Sequence, residues 1–219
     1  MRPLRATAFR IFVAVLLLAS VANAAGPPAA GFLPANARVH GYSLTDLATA
    51  WTLWAFGSAP DVNPLLGVRC EQSPIDPRIY FLPVSLGGEW TTTCEVPAGT
   101  FLVLNVGLGE CSSLEAEPFF GADENSLLAC TDALFNRLNY AEVGLDGVTA
   151  TDLNEYIVTT DPITLPPNNL NSTESGLSMS KGYFLVIPPL SPGTHTLRAY
   201  DEFAAFGFQA GITYTIGVQ

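Results

Sequence analysis

Basic side chains and histidines are scarce in this chain. It carries nine Lys and Arg residues against 20 Asp and Glu residues, and two histidines, in a length of 219 residues. An excess of negative charge on this scale repels nucleic acid and anionic lipid, so we expect neither as a partner. Acidity also keeps an exported protein soluble, which is the simpler interpretation, and a preference for divalent cations is the alternative.

Sequence motifs that mark common enzyme classes are also missing. The chain contains no hydrolase nucleophile elbow, phosphate-binding loop, dinucleotide fingerprint, zincin motif or EF-hand loop. This absence excludes only the enzymes that depend on those motifs. On this basis we assign no catalytic, cofactor-binding or metal-binding residue from the sequence.

The N-terminal 24 residues have the pattern of a secretory signal peptide. Three arginines precede an apolar run over 11–21, and Ala22-Asn23-Ala24 supplies the small-x-small pattern of a cleavage site. No later apolar run reaches the ~20 residues that a membrane-spanning helix needs. We therefore predict a secreted or extracytoplasmic protein with no membrane insertion after cleavage. Removal of residues 1–24 leaves six basic and 20 acidic side chains, a net charge of −14.

All four cysteines, Cys70, Cys94, Cys111 and Cys130, follow the predicted cleavage site. In an oxidising compartment an even number of cysteines indicates disulfides, and four cysteines allow three pairings. We favour Cys70–Cys94 and Cys111–Cys130, because each closes a short local loop and would stabilise the fold by roughly 3 kcal/mol. A zinc site is the alternative, but no two cysteines have Cys-x-x-Cys spacing.

The mature chain is predicted to form one domain. Residues 25–38 are rich in Ala, Pro and Gly and predict a flexible lead-in to a single β-sandwich domain over 39–219. Apolar spacing predicts a helix over 43–56, with a capping box at its start. A second amphipathic helix is predicted from about 123 to 138.

Strand patterns fill most of the remaining chain. Segments 78–86 and 89–96 flank Gly87-Gly88, which predicts a hairpin because its two-residue turn needs positive φ at both positions. Residues 208–218 alternate strictly between apolar and polar side chains, which predicts a strand with one face on the core. Eight or nine such strands with frequent Pro and Gly turns predict a mainly β fold, namely an antiparallel β-sandwich or jelly-roll-like domain with two peripheral helices. The other predicted strands are 101–106, 141–145, 147–151, 155–160, 183–187 and 194–200.

Neither histidine stands in a recognisable catalytic pattern. His195 follows a Pro-Gly turn and shares a predicted strand face with Leu197 and Ala199, so we interpret it as a hydrogen-bonded packing residue. The alternative, a general base, requires a carboxylate partner, and Asp201 is the nearby acid on the same face. His40 precedes the first helix and is predicted to be a solvated loop residue.

Five acidic residues cluster before the second predicted helix. Paired carboxylates can hydrolyse glycosides, and loose clusters can bind Ca²⁺, but this spacing matches neither pattern. The simplest interpretation is a solvated surface, with Asp123 and Glu124 favouring the positive end of the helix that follows. We expect no cofactor, and Ca²⁺ is the alternative. The five residues are Glu110, Glu115, Glu117, Asp123 and Glu124.

Two further features have both a structural and a functional interpretation. Trp51 and Trp54 could stack on sugar rings if exposed, but their helical spacing favours packing in the core. Asn171-Ser172-Thr173 has the pattern of a glycosylation acceptor, within a polar stretch over 168–180 that is predicted to be a surface loop. Whether Asn171 carries a glycan stays open at this point, because the pattern matters only in a eukaryotic secretory route.

The order of several short motifs resembles that of a group of exported bacterial proteins. The motifs include a Trp-x-x-Trp helix (Trp51, Trp54), Thr-Cys-x-Val-Pro-Ala-Gly at 93–99 and Leu-Ser-Pro-Gly-Thr-His-Thr at 190–196. Together they span most of the mature chain. The resemblance implies export and supports the favoured disulfide pairing, but it carries no activity, substrate or catalytic residue.

These patterns predict an exported, disulfide-braced, acidic β-sandwich. Because no catalytic group stands out, we expect a binding or structural module at or outside the cell surface, with an extracellular glycan or cell-surface polymer as its partner. The alternative is a secreted hydrolase acting on a polysaccharide or another polymer, which would need two or three carboxylates to converge in a cleft.

Overall fold

The structure, a computed structural model, describes residues 31–219, and the predicted signal peptide over 1–24 lies outside the described residues. The described part is mainly β, with two sheets packed as a sandwich. Its helices are α1 (Leu44–Gly57), α2 (Pro64–Gly67) and α3 (Glu124–Phe135). Its strands are β1 (Glu71–Gln72), β2 (Ile79–Phe81), β3 (Gly88–Val96), β4 (Phe101–Ser112), β5 (Tyr140–Leu145), β6 (Val148–Ala150), β7 (Ile157–Thr159), β8 (Ile163–Leu165), β9 (Gly176–Ile187), β10 (Gly193–Phe203) and β11 (Phe208–Val218).

Long antiparallel pairs form the centre of each sheet. The first sheet has the order β1-β2-β4-β9-β7, with β8 also paired to β9, and the second has the order β3-β11-β10-β5-β6. The bounds of β11 agree with the predicted strand over 208–218. A tight turn at Asp146-Gly147 joins β5 to β6: Leu145 pairs with Val148 across it, and φ is 49° and 83° at the two turn residues.

The predicted hairpin at Gly87-Gly88 is wrong. Both glycines have positive φ, as the pattern requires, but the strands on either side of them belong to different sheets. β3 pairs with β11 and β2 pairs with β4, and both of these pairings are parallel. The sheets are therefore mixed rather than antiparallel throughout. A parallel partner lies far away in the sequence, so a local turn pattern cannot identify it.

Helix α1 packs its apolar face into the core. The Asp46 N–H donates to the Ser43 hydroxyl and the Ser43 N–H donates to the Asp46 carboxylate, so the predicted capping box is present. Trp51 is fully buried and its indole N–H donates to the Leu82 carbonyl at 2.9 Å. Trp54 is also buried. The predicted core role of both tryptophans is confirmed, and neither is available to stack on a sugar ring.

Both favoured disulfides are present. Cys70–Cys94 joins the segment after α2 to β3, and Cys111–Cys130 joins β4 to α3. Two disulfides indicate an oxidising, extracellular environment. None of the helices over residues 31–219 has the length and apolar character needed to cross a membrane.

A bulge in β4 positions much of the candidate site. The pairing of β4 with β9 shifts register between Val106 and Gly109. Gly107, inside the bulge, has a φ of 65° and donates its N–H to the Asp201 carboxylate at 3.0 Å. A bulge changes the direction of a strand and is common next to functional sites.

Two predicted loop segments contribute more to the fold than expected. Within the predicted lead-in over 25–38, Phe32 is buried and the Leu33 N–H donates to the Val186 carbonyl at 2.8 Å. The polar stretch over 168–180 is not one loop, because β9 begins at Gly176. Its first part does form a turn that covers one end of the first sheet.

Candidate functional site

The two histidines lie apart, and His195 has a different partner from the one predicted. Its Nδ1 lies 2.7 Å from the Asp146 carboxylate, and its Nε2 lies 2.9 Å from the Ser191 carbonyl oxygen. Asp201 is buried elsewhere, against the β4 bulge. The expectation that Asp201 would be the partner of His195 is wrong, because the turn after β5 brings Asp146 next to the first residues of β10. His40 is exposed, as predicted, with its ring 5.2 Å from that of Phe101.

The bonding of His195 favours a structural role. Both ring nitrogens face acceptors, so both act as donors and the imidazolium form is stabilised. The hydrogen bond to Asp146, followed by that to Ser191, raises the pKa of His195. The Ser191 hydroxyl lies 3.5 Å from Nε2, but this nitrogen is already engaged by a carbonyl. Both ring nitrogens are engaged by acceptors other than the serine hydroxyl, so this group links the β5–β6 turn to β10.

Two members of the predicted acidic cluster are withdrawn from solvent, Glu110 fully and Glu115 in part. Glu110 is buried and its carboxyl accepts a hydrogen bond from the Ser178 hydroxyl. The Glu115 carboxyl accepts one from the Ser112 hydroxyl at 3.0 Å, and the two carboxyls are hydrogen-bonded to each other. The surface interpretation is wrong for Glu110, because β4 carries it into the interior. Glu115 lies on the loop that folds back over this position and is half-buried.

Burial sets the charge state of this carboxyl pair. Loss of solvation, and then the nearby charge of Glu115, raises the pKa of Glu110 well above its usual value. Burial also raises the pKa of Glu115. Two adjacent carboxyls in a poorly solvated place cannot both ionise cheaply, so the pair resists the loss of its last proton.

Asn171, the residue of the glycosylation pattern, belongs to the same cluster. Its Nδ2 lies 3.4 Å from Glu110 Oε2, 3.3 Å from Glu115 Oε2 and 3.4 Å from the Ser112 hydroxyl. The nitrogen that would carry a glycan is therefore engaged by the pair of carboxyls. This contact holds the turn at 168–175 against the loop that follows β4.

The other three acidic residues have simpler surroundings. Asp123 caps α3 by accepting the Ser126 N–H at 2.9 Å, and Glu124 lies in the first helical turn, as predicted. Glu117 is exposed. Over residues 31–219, no group of three or more His, Cys, Asp or Glu side chains is placed to hold a metal ion.

The feature with the character of a binding site is a cleft between α3 and the end of the second sheet, which we call the aromatic cleft. Its volume is about 260 Å³. Neighbouring phenyl rings in it are 6.1–6.5 Å apart between centroids. Phe119 and Phe206 are 40% and 42% exposed, so the cleft opens to solvent. It is lined by Leu108, Gly109, Glu110, Phe119, Leu134, Phe203, Phe206 and Phe208.

A smaller cavity, which we call the carboxyl cavity, adjoins the aromatic cleft. Its volume is about 100 Å³, and it shares Leu108, Glu110 and Phe208 with the cleft. Asp201 and Asn105 also line it. Two buried carboxyl-bearing residues, Glu110 and Asp201, thus border one small space.

The polar groups of the carboxyl cavity are unusual for an interior. Burial raises the pKa of Asp201 to about 6, against the opposing effect of the Gly107 N–H. The Asn105 amide donates to the Tyr183 carbonyl at 3.1 Å, but its Oδ1 is buried with no hydrogen-bond partner among the described residues. Buried polar atoms are rarely left unpaired in a fold, and perturbed carboxyls concentrate at functional sites.

Sequence reasoning missed most of this site. Glu110 was a candidate, but Asp201 was considered only as a partner for His195. Phe203, Phe206 and Phe208 lie close together in the sequence, around the connection between β10 and β11. This local density of aromatic residues was the signal from which the cleft could have been predicted. Phe119 lies far away in sequence and joins them only in the folded chain.

Comparisons with known proteins do not assign a family. No family model matches the chain, and no curated protein matches it. A solved structure described as PbICP-C in complex with falcipain-2 is similar with a TM-score of 0.26 and 13% sequence identity, over 61% of this chain and 91% of that chain. A TM-score this low does not indicate a shared fold. The predicted resemblance to exported bacterial proteins stays a prediction.

Proposed function

We propose that this protein is an exported binding module at or outside the cell surface, and that it binds a glycan or another cell-surface polymer in the aromatic cleft. The observation that carries the proposal is the joining of an open, phenyl-lined cleft to a cavity bordered by two carboxyl-bearing residues. A largely apolar cleft with a few convergent polar groups is the usual form of a small-ligand site.

The chemistry of the cleft suits a sugar ring. The C–H face of a pyranose is flat and weakly polar, and it packs on an aromatic ring, while its hydroxyls need both donors and acceptors. Phe119 and Phe206 offer exposed ring surface. Asp201 and the unpaired Asn105 oxygen offer acceptors deeper in the molecule.

Calorimetric titration with soluble oligosaccharides tests the proposal. A panel of neutral and acidic sugar oligomers is titrated into wild-type protein, Phe206→Ala and the control Phe120→Ala, whose exposed ring does not line the cleft. We expect one class of oligomer to bind, and Phe206→Ala to weaken it by about tenfold, the value of one stacking contact. Equal affinity in both variants, or no binding by the wild type, would contradict the proposal.

A second candidate function is hydrolysis of the bound polymer, which one observation favours. Glu110 and Asp201 border the same cavity, and burial raises the pKa of both carboxyls. A carboxyl that stays protonated near neutral pH can serve as a general acid in glycoside hydrolysis. The same titrated samples are assayed for new reducing ends between pH 4 and 8. Turnover by the wild type that is lost in both Glu110→Gln and Asp201→Asn supports hydrolysis. Binding by the wild type without turnover contradicts hydrolysis and leaves the proposal of a binding module.

A further inference from the structure

Another cavity lies on the other side of the C-terminal end of α3, and we call it the polar groove. Its volume is about 400 Å³. It lies between the residues that follow α3, strand β5 and the segment after β6. Six of its lining residues carry hydrogen-bonding side chains: Asn136, Asn139, Tyr140, Thr151, Asn154 and Tyr183.

The charge of the polar groove distinguishes it from the rest of the molecule. The chain has a net charge of −11, yet among residues 31–219 no Asp, Glu, Lys or Arg lines this cavity. An anionic ligand would find no counter-charge in this lining, and two carboxylates beside it, Asp152 and Glu142, already accept hydrogen bonds from the lining residues Asn154 and Tyr140. The groove therefore suits a neutral ligand that carries many hydroxyl groups.

Its amide groups retain free hydrogen-bonding capacity. Asn139 Oδ1 accepts the Ala204 N–H at 2.7 Å, which leaves the Asn139 NH₂ group for a ligand. The Asn154 NH₂ group donates to Asp152 at 2.9 Å, which leaves the Asn154 carbonyl oxygen. Tyr140 is 41% exposed and presents an aromatic face beside these amides. Amides, hydroxyls and an exposed ring together are the groups that hydrogen-bond and pack against sugars.

The polar groove and the aromatic cleft are neighbours. Leu134 lines the cleft, and the next residue, Phe135, lines the groove. The turn over 136–139 separates them and is fixed to the end of β10, because the Asn139 N–H donates to the Glu202 carbonyl at 2.8 Å. A ligand that occupies both cavities would cross this turn.

We propose that the polar groove is a second carbohydrate subsite, which binds the neutral part of a glycan whose other end occupies the aromatic cleft. This inference rests on the proposed function and adds the ligand's chemistry: a neutral oligosaccharide of several units rather than a single sugar or an ionic polymer. Affinity then increases with chain length until both cavities are filled.

Titration with neutral oligosaccharides of two, four and six units tests this inference. The cello-, malto- and chito-oligosaccharide series serve as probes. Thr151→Arg fills the polar groove with a long side chain, and Thr149→Arg is the matched control, since Thr149 is exposed on the same short segment but does not line the groove. Thermal melting of each variant verifies folding, and Asn154→Ala is a second, milder groove variant.

We expect the six-unit probe to bind at least tenfold more tightly than the two-unit probe. Thr151→Arg should remove that gain and leave two-unit binding within about twofold, while Phe206→Ala weakens both. Affinity that does not depend on length, or a six-unit affinity that survives Thr151→Arg and Asn154→Ala, overturns the second subsite but keeps the cleft. Failure of every probe to bind the wild type overturns both.

Discussion

Asp201 and Glu110 are two residues whose burial lowers the stability of the fold. Both carboxyls are buried, and burial raises the pKa of each. A raised pKa means that the folded protein resists ionisation of the group. Each of these carboxyls therefore lowers the free energy of unfolding as the pH rises. An apolar side chain at either position would avoid this loss. Their presence beside an open cleft is therefore better explained by binding or chemistry than by stability.

The cost at Asp201 can be measured through pH. The pKa of Asp201 is about 6 in the folded protein, compared with about 3.9 in an unfolded chain. Between these values the native state binds more protons, so the free energy of unfolding falls as the pH rises. Asp201→Asn cannot ionise and can still accept the Gly107 N–H. We expect the variant to gain up to about 3 kcal/mol on the wild type between pH 4 and pH 7.5.

Urea unfolding at several pH values measures this difference. The wild type is compared with Asp201→Asn and with Asp61→Asn, an exposed residue that undergoes the same chemical change. Glu110 and Glu115 contribute to the slope of every protein in the series, so the difference between variants isolates Asp201. A difference that stays constant from pH 4 to pH 7.5 would show that Asp201 ionises as it does in an unfolded chain.

His195 leads to a prediction of the opposite sign. Its hydrogen bond to Asp146 raises the pKa of His195 and lowers that of Asp146. The pair therefore stabilises the fold above the unfolded pKa of Asp, about 3.9, and loses this effect as the pH rises past about 6.5 through the folded pKa of the histidine. Because Asp146 is 47% exposed, we expect His195→Gln to cost no more than about 1 kcal/mol at pH 5.5.

The measurement is urea unfolding of His195→Gln at pH 5.5 and pH 8.5. The difference from the wild type should shrink at the higher pH, and oligosaccharide binding should not change. A loss of binding or turnover in a folded His195→Gln protein would return this histidine to the list of functional candidates.

At the scale of elements, local patterns predicted the pieces that depend on their own residues. The capping box before α1, the acidic start of α3 and the alternation of β11 were all predictable, because each depends on neighbours in sequence. The pairing of β3 with β11 was not predictable, because β11 lies at the other end of the chain. A glycine pair shows that the chain turns, but not which strand it meets next.

The site was less predictable than the elements. It combines the β4 bulge, the loop after β4 and the β10–β11 connection, and only tertiary packing brings these segments together. The sequence indicated that Glu110 lies next to a strand, but not that Glu115 folds back onto it. Burial, which changes the chemistry of both carboxyls, is a property of the assembled sheets.

The Cys111–Cys130 disulfide fixes one wall of the site. It joins β4 to α3, and Leu134 of α3 lines the aromatic cleft. The cysteines are 19 residues apart, so replacing both with alanine should cost about 3 kcal/mol on the chain-entropy model. Oligosaccharide affinity should also fall, because α3 would be less firmly held.

Thermal unfolding of Cys111→Ala/Cys130→Ala measures the loss of stability, and titration of the same variant with oligosaccharide measures the loss of affinity. Cys70→Ala/Cys94→Ala is the control, because that disulfide closes a loop of similar length, 24 residues, but joins no element that lines the cleft. Both double variants should lose similar stability, and only the first should lose affinity. Equal affinities would separate α3 from the binding site.

At the scale of the whole molecule, a β-sandwich must keep its open sheet edges from pairing with other copies. Strand β3 is an edge strand of the second sheet, and most of its residues are exposed. Glu89 and Glu95 lie near its two ends, and each carboxylate covers a glycine of β11, Gly211 and Gly217 respectively. Charged residues on an edge strand oppose association between sheets.

Removing these charges should therefore change the assembly state rather than the fold. We expect Glu89→Thr/Glu95→Thr to remain folded, because threonine favours strands, and to self-associate as concentration rises. Light scattering after size-exclusion chromatography measures this. Glu142→Thr is the control, since Glu142 lies on β5, an inner strand of the same sheet. The Cys70–Cys94 disulfide and the Thr92 hydroxyl bind the segment after α2 to β3. If the edge variant has the same mass as the wild type at every concentration, this segment protects the edge without the two charges.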